Sequence, residues 1–298
     1  MGSSPLDNAN RFVGRRVRAD RCSLSLRGAA TPKPHGIDLP GPSTSPPIWQ
    51  HWPMGTSEVW DESEASRYDE TSADMFAPEV LDPTVNLLDE LACGGPALEF
   101  AIGTGRVAVN LQARGVPVSG IDLSESMVRQ LRRKVTEEEL PVLVGDMATT
   151  RFPGSFTLVY LVFNSLSNLQ TQPEQVECFV NAARHLAPGG RFVVELWVPA
   201  LQRMAPGETA ALFDASQDHV GFDTYETATQ RCASHHFTRD ADGRYRSDIG
   251  HFRYAWPSEC DLMAQIAGLT LEARYGDWDR RPFTSSSDKH ISVWQKTD

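Results

Sequence analysis

The chain has 298 residues, of which 40% are hydrophobic and 22% charged, enough for one large globular domain with appendages. Its net charge of −11 is uneven: residues 1–54 carry seven Lys/Arg against three Asp/Glu, leaving 21 basic against 36 acidic residues in the remainder. That acidic body disfavours nucleic acid as a partner, and no apolar run of about 18 residues is present to span a membrane.

Residues 1–53 are rich in Arg, Pro, Gly and Ser. Such a segment buries too little apolar surface to offset its ordering entropy, so a disordered tail is expected. An alternative expectation places the biological start at Met54, where acidic, helix-forming sequence begins. No apolar core follows the early arginines, which disfavours a secretory signal. The five cysteines are scattered, odd in number and without a CxxC pair, so neither a disulfide framework nor a metal site is expected, and a cytoplasmic setting fits.

From Trp60 to Phe76 the acidic and aromatic pattern reads as short lid helices. Asp82-Pro83 reads as a cap followed by the first helical position, with Val85, Leu88 and Leu91 facing inward and Gly94-Gly95 ending the helix. Strands and helices then alternate: a strand over 97–102, a helix over 106–114 and a strand over 116–121. A helix capped by Ser124 and a strand over 141–144 follow. The apolar strand 158–163, a helix from Pro173 and a strand over 192–198 complete the series. This predicts an α/β, doubly wound, Rossmann-like sheet. After Pro199 come β-leaning runs at 222–229, 232–239 and 244–254, the last two joined by a hairpin signal at Asp240-Ala241-Asp242-Gly243. A helix over 258–267 and strands over 269–276 and 289–296 close the chain. The final pair is expected to complete seven strands with the last antiparallel, and 220–255 to form a β-rich cap.

Leu98-Glu99-Phe100-Ala101-Ile102-Gly103-Thr104-Gly105-Arg106 places a tight glycine turn between strand and helix, and Asp122 follows Arg106 by sixteen residues. The glycines permit close approach of the main chain to a nucleotide, and a carboxylate at the second strand's tip can accept both ribose hydroxyls. Glu99 separates the candidate nucleotides. A carboxylate beside a pyrophosphate is repulsive, whereas beside an ammonium it is attractive. Asp146 and Met147, after the third strand, suit an adenine amino group and ring. These details favour S-adenosylmethionine over a dinucleotide.

With Gly-Ile-Asp-Leu-Ser-Glu-Ser-Met, Val-Gly-Asp-Met and Leu-Ala-Pro-Gly-Gly-Arg-Phe-Val-Val-Glu, the chain resembles class I S-adenosylmethionine-dependent methyltransferases of small-molecule type. The resemblance is strong over 97–197 and looser over 60–298. It implies that Glu99, Ala101, Gly103 and Gly105 line the methionine moiety. Asp122 would hold the ribose, Leu123 and Met127 would lie beside the adenosine, and Asp146 and Met147 would hold adenine. Phe163 and Asn164 would face the sulfonium, and Tyr68 would reach the methionyl carboxylate or simply pack the lid helix. Ala101 stands where the family usually has glycine.

The implied reaction is an in-line displacement that depends mainly on alignment. A general base is needed only if the acceptor must lose a proton. His236 and Tyr225 are the candidates, ahead of His219, His251 and His290; adjacent His235 and His236 point to opposite faces of a strand. Trp197, Trp256, Phe222, Phe237, Phe252, Tyr254 and Trp278 are candidates for an acceptor pocket, although core packing suits most of them. Arg280-Arg281 reads as a solvated pair. The partner expected is a small molecule, and a homodimer is compatible with the sequence. An NAD(P)-dependent oxidoreductase and a non-catalytic S-adenosylmethionine-binding module are the alternatives.

Overall fold

The computed structural model describes residues 62–240 and 242–297; the expected tail and the start at Met54 lie outside them. Helix α1 (Glu62–Thr71) and a short 3-10 turn precede α2 (Pro78–Ala92). The nucleotide-type core runs β1 (Ala97–Phe100), α3 (Ala108–Gln112), β2 (Val118–Asp122), α4 (Glu125–Leu131), β3 (Val142–Val144), β4 (Phe156–Leu161), α5 (Gln172–His185) and β5 (Leu186–Trp197). A second group follows: β6 (Ala210–Ala215), β7 (His219–Glu226), β8 (Arg231–Arg239) and β9 (Tyr245–Arg253). Helix α6 (Pro257–Ile266), β10 (Leu269–Tyr275) and β11 (Lys289–Lys296) end the chain.

Seven strands form one sheet in the order β10-β11-β5-β4-β1-β2-β3, with β11 antiparallel to both neighbours. The apolar run of β4 is explained by its two faces. Val159 and Leu161 pack with Phe179, Phe192 and Trp294, while Leu158 and Tyr160 pack with Leu88, Leu111 and Val193. A strand buried on both sides has no polar face to display. Ser124 caps α4 by accepting from the Met127 N–H, and Thr171 with Glu174 forms a capping box on α5.

Three expectations are corrected. Helix α2 begins at Pro78, so Asp82-Pro83 lies inside it, because Leu81 extends the buried stripe one turn upstream. Strand β4 ends at Leu161, because Phe163 and Asn164 both adopt left-handed backbone (φ 53° and 59°). The helix expected over 106–114 is only Ala108–Gln112, since Gly105 (φ 79°) still belongs to the turn.

The second sheet is antiparallel in the order β6-β7-β8-β9 and contains one strand more than the sequence pattern indicates, β6. The β8–β9 turn falls where expected, with the Asp240 carboxylate accepting from the Asp242 and Arg244 N–H groups. Buried Arg253 fastens this cap to the core. Its guanidinium donates to Glu259 of α6 (2.7 Å) and to Gln175 of α5, whose amide returns a bond to the Arg253 carbonyl (2.9 Å). Among the described residues, no helix is long and apolar enough to cross a membrane.

Candidate active site

At the carboxyl ends of β1, β2 and β4 lies a cavity of about 380 Å³. Tyr68, Glu99, Ala101, Gly103, Asp122, Leu123, Met127, Asp146, Met147, Phe163 and Asn164 all line it, whereas Gly105 does not and closes the turn by donating to the Ile102 carbonyl (3.0 Å). Thus residues spread over nearly a hundred positions converge on one space. Both Asp122 oxygens accept main-chain N–H groups, one from Gly103 (2.7 Å) and one from Ser124 (2.8 Å). The carboxylate is therefore held rigidly across the turn, with lone pairs left for a diol. Burial pushes its pKa upward, and the two N–H donors oppose that.

Glu99 is 2% exposed and accepts from the Tyr160 hydroxyl (2.9 Å). Burial raises its pKa to about 8, outweighing the Tyr160 bond and the attraction of Arg106. A buried carboxylate with so little compensation, facing a cavity, suits a cationic ligand group. Ala101 carries φ 52°, the left-handed backbone that explains why glycine is usual there.

Sequence reasoning passed over Arg106. It is 8% exposed, is the one Lys or Arg among the described residues lining this cavity, and lies 5.5 Å over the Phe163 ring. The available signal was a cation just ahead of a helix N-terminus, where the macrodipole is unfavourable to it. Helix α1 is tied to the same loop: Thr104 donates to Asp69 (2.6 Å), and Lys134 bridges Asp69 and the Thr104 carbonyl.

The kink after β4 is clamped. Phe163 N–H donates to the Glu195 carboxylate (2.9 Å), Asn164 N–H to the Glu195 carbonyl (3.2 Å), and the Asn164 side chain accepts from Trp197 N–H (3.2 Å). Backbone of this kind costs on the order of 1–3 kcal/mol per residue and persists where surroundings fix it. It sets Asn164 at the boundary of a second cavity of about 310 Å³ beneath the cap. The two cavities share Asn164, Trp197 and Phe252. Phe213, Asp223, Tyr225, Ser234, Tyr254 and Asp288 also line the second.

His236 lines the first cavity and Tyr225 the second. Burial, followed by the neighbouring His219, holds the His236 ring below the ordinary histidine range. Burial and the Asp223 carboxylate push the Tyr225 phenol upward, and its hydroxyl donates to Asp223 (3.2 Å). A phenol so placed keeps its proton. His235 points to the other face of the cap, where it stacks on Phe222 (4.6 Å). His290 is fully buried within the main sheet and bonds Ser292. Of the aromatic candidates, Trp197, Phe252 and Tyr254 reach the second cavity, while Trp278 packs in the core. Arg280 pairs with Glu90 and Arg281 with Asp277 at the surface.

Residues 97–190 match the family model described as a methyltransferase domain. The chain is 37% identical over 211 residues to YqeM of Bacillus subtilis (strain 168), itself assigned as a methyltransferase, covering 68% of this chain and 85% of that one. It is 26% identical over 254 residues to the cypemycin N-terminal methyltransferase of a Streptomyces species, covering 78% and 99%. The solved structure of the CcbJ methyltransferase from Streptomyces caelestis superposes with a TM-score of 0.72 at 33% identity, over 82% of this chain and all of that one. The chain belongs to the class I S-adenosylmethionine-dependent methyltransferases.

Proposed function

We propose that this methyltransferase alkylates the nitrogen of a small amine bound under the cap. The observation carrying this reading is the lining of the second cavity. Trp197, Phe213, Tyr225, Phe252 and Tyr254 surround Asp223 and Asp288, and neither Lys nor Arg is among the described residues that line it. Aromatic faces and carboxylates together recognise an ammonium and repel an anion. The cypemycin relative, named as an N-terminal methyltransferase, also points to an amine.

S-adenosylmethionine supplies an electrophilic methyl on a sulfonium. In our reading the Glu99 carboxylate meets its ammonium, Arg106 and Tyr68 its carboxylate, Asp122 its ribose, and Asp146 with Met147 its adenine. Leu123 and Met127 pack the adenosine, and Ala101, Gly103 and Gly105 give room for the methionine chain. Phe163 and Asn164 stand between the two cavities and align the acceptor nitrogen with the methyl group. His236 takes the acceptor's proton, and Tyr225, which holds its own proton, orients Asp223. Residues 62–76 act as a lid, and the cap over about 210–255 excludes water.

A panel of aminosugar nucleotides, amino acids, short peptides and polyamines, assayed for S-adenosylhomocysteine, tests the proposal. Turnover is expected with at least one amine, and Asp223→Asn should raise its KM about tenfold. Turnover of phenols or alcohols in place of amines overturns the amine reading. Tight S-adenosylmethionine binding with no product across all acceptor classes supports the non-catalytic alternative.

A further inference from the structure

Three side chains of the cap form a continuous chain behind the cavity wall. Asp214 Oδ2 lies 2.6 Å from His219 Nδ1, and His219 Nε2 lies 3.0 Å from His236 Nδ1. The far nitrogen of His236, Nε2, lies 3.1 Å from the Ser234 hydroxyl, on the cavity side. The three come from three different strands, β6, β7 and β8. They meet because Asp214 pairs with Gly221, and Gly221 pairs with His236. Gly221 makes room for the rings between them: a Cβ there would meet Phe213 at 2.1 Å and His219 at 2.9 Å.

Donor and acceptor logic gives the chain one direction. The bond from His219 holds the Asp214 carboxyl below the usual carboxylate range, so at neutral pH it is ionised and only accepts. His219 must then carry a proton on Nδ1, and a ring with a single proton offers Nε2 as an acceptor. His236 must in turn carry its proton on Nδ1. That leaves Nε2 of His236 without a proton, accepting from the Ser234 hydroxyl, on a ring that lines the cavity together with Phe163, Asn164 and Trp197.

We propose that Asp214 and His219 are positioning residues that lock His236 in the Nδ1–H tautomer and carry the abstracted proton to the edge of the cap. The proposal rests on the reading of the first cavity as the methyl-transfer site. The balance is simple. The acceptor's N–H bond breaks and its proton joins His236 Nε2, while the electron pair stays on nitrogen. The Nδ1 proton of His236 passes to His219 Nε2, leaving His236 neutral. His219 becomes an imidazolium paired with Asp214, whose side chain is 41% exposed. Asp223 and His219 on β7, Asp248 on β9 and His235 on β8 are the other titrating groups that act on His236. Asp214 differs from them in being joined to it through a ring.

The test needs no acceptor. The full-length protein, uniformly labelled with ¹⁵N-histidine and saturated with S-adenosylhomocysteine, is examined by NMR at pH 7.5. His236 is expected to show a protonated Nδ1 and a bare Nε2, the reverse of the tautomer favoured by free histidine. Asp214→Asn, whose amide can donate to His219 Nδ1, should invert both rings and protonate His236 Nε2. Asp214→Glu should restore the wild-type pattern. Wild-type His236 protonated at Nε2, or a tautomer unchanged by Asp214→Asn in a folded protein, overturns the proposal. Calorimetry with S-adenosylhomocysteine runs alongside. Failure of the ligand to bind at all would instead count against the methyl-transfer reading, whatever the tautomer. With an amine that turns over, Asp214→Asn should lower kcat at least tenfold with KM for S-adenosylmethionine unchanged.

Discussion

On the proposed pairing of Glu99 with the cofactor's ammonium, cofactor binding is a proton-linked event. With its pKa raised to about 8 by burial, only about one molecule in a hundred has this carboxyl ionised at pH 6 in the absence of ligand. Pairing it with an ammonium requires the charged form, so binding expels a proton. The cost is about 1.4 kcal/mol for each pH unit below 8, which makes the Kd for S-adenosylmethionine fall about tenfold from pH 6 to pH 7. The gain flattens near pH 8, where an α-amino group with an ordinary pKa of about 7.7–8.0 begins to lose its own charge. Titration calorimetry in phosphate and Tris at pH 6.5 should report about one proton released per cofactor bound. Glu99→Gln should bind more weakly at pH 7.5 and lose the slope below it. Arg106, Asp122 and Tyr160 also act on this carboxyl or stand beside it, and the Gln variant leaves all three in place. A wild-type Kd that varies less than threefold between pH 6 and 7, or an equal slope in Glu99→Gln, refutes the reasoning. The sign for stability is opposite. The folded carboxyl keeps its proton up to about 8 and the unfolded one only to about 4.5, so the ligand-free protein loses stability as pH rises between those values. Its Tm should fall across that window more steeply than that of Glu99→Gln.

Asp122→Ala should weaken S-adenosylmethionine binding at least tenfold, because two hydroxyls lose a shared acceptor and the Gly103 and Ser124 N–H groups lose theirs; calorimetry on the folded variant decides it. Arg253→Ala leaves Glu259 and Gln175 without their buried partner and should destabilise by about 3–5 kcal/mol, read by urea unfolding, with Cys260 and Cys178 becoming reactive to thiol reagents earlier in the transition. Ala101→Gly relieves a left-handed backbone and should change stability by no more than about 1 kcal/mol, with cofactor affinity intact; a tenfold loss of affinity would mean that the Ala101 methyl group contacts the ligand.

The cofactor half of the site was readable because its chemistry is local in sequence. Glu99, the glycine turn and Asp122 lie within one βαβ unit, and regular strand and helix spacing brings them together without any knowledge of tertiary contacts. Arg106 escaped notice because its significance depends on burial, which its position in a turn did not reveal. The Asp82-Pro83 error has a similar cause: two prolines five residues apart both suit a helix start, and only burial of Leu81 selects Pro78. In the cap, information lies between strands. Strand β6 is an edge strand with Leu212 64% and Phe213 50% exposed, so it lacks the alternation that marks a half-buried strand. A bulge between Leu212 and Asp214 then shifts its register. No spacing rule predicts that Asp214 will face His219 and His236 across such a bulge.

The division of charge across the two cavities gives this arrangement a physical reason. A protonated amine and a sulfonium are both cations, and at about 4 Å with an effective dielectric of 20 they repel by about 4 kcal/mol. An ammonium also has no lone pair with which to attack. Losing one proton cures both problems, but only if the charge leaves the vicinity, since an imidazolium held at His236 would still face the methyl group. Passing that charge to His219, which Asp214 pairs at the sheet edge, removes it from the reacting atoms. After transfer the sulfur is neutral and the product nitrogen is charged, so the aromatic and acidic lining around Asp223 now binds the product while the cofactor cavity has lost its cation. The carboxylates nearest the amine can therefore hold substrate and product from the side, leaving the line from nitrogen to methyl open past Asn164, which both cavities share.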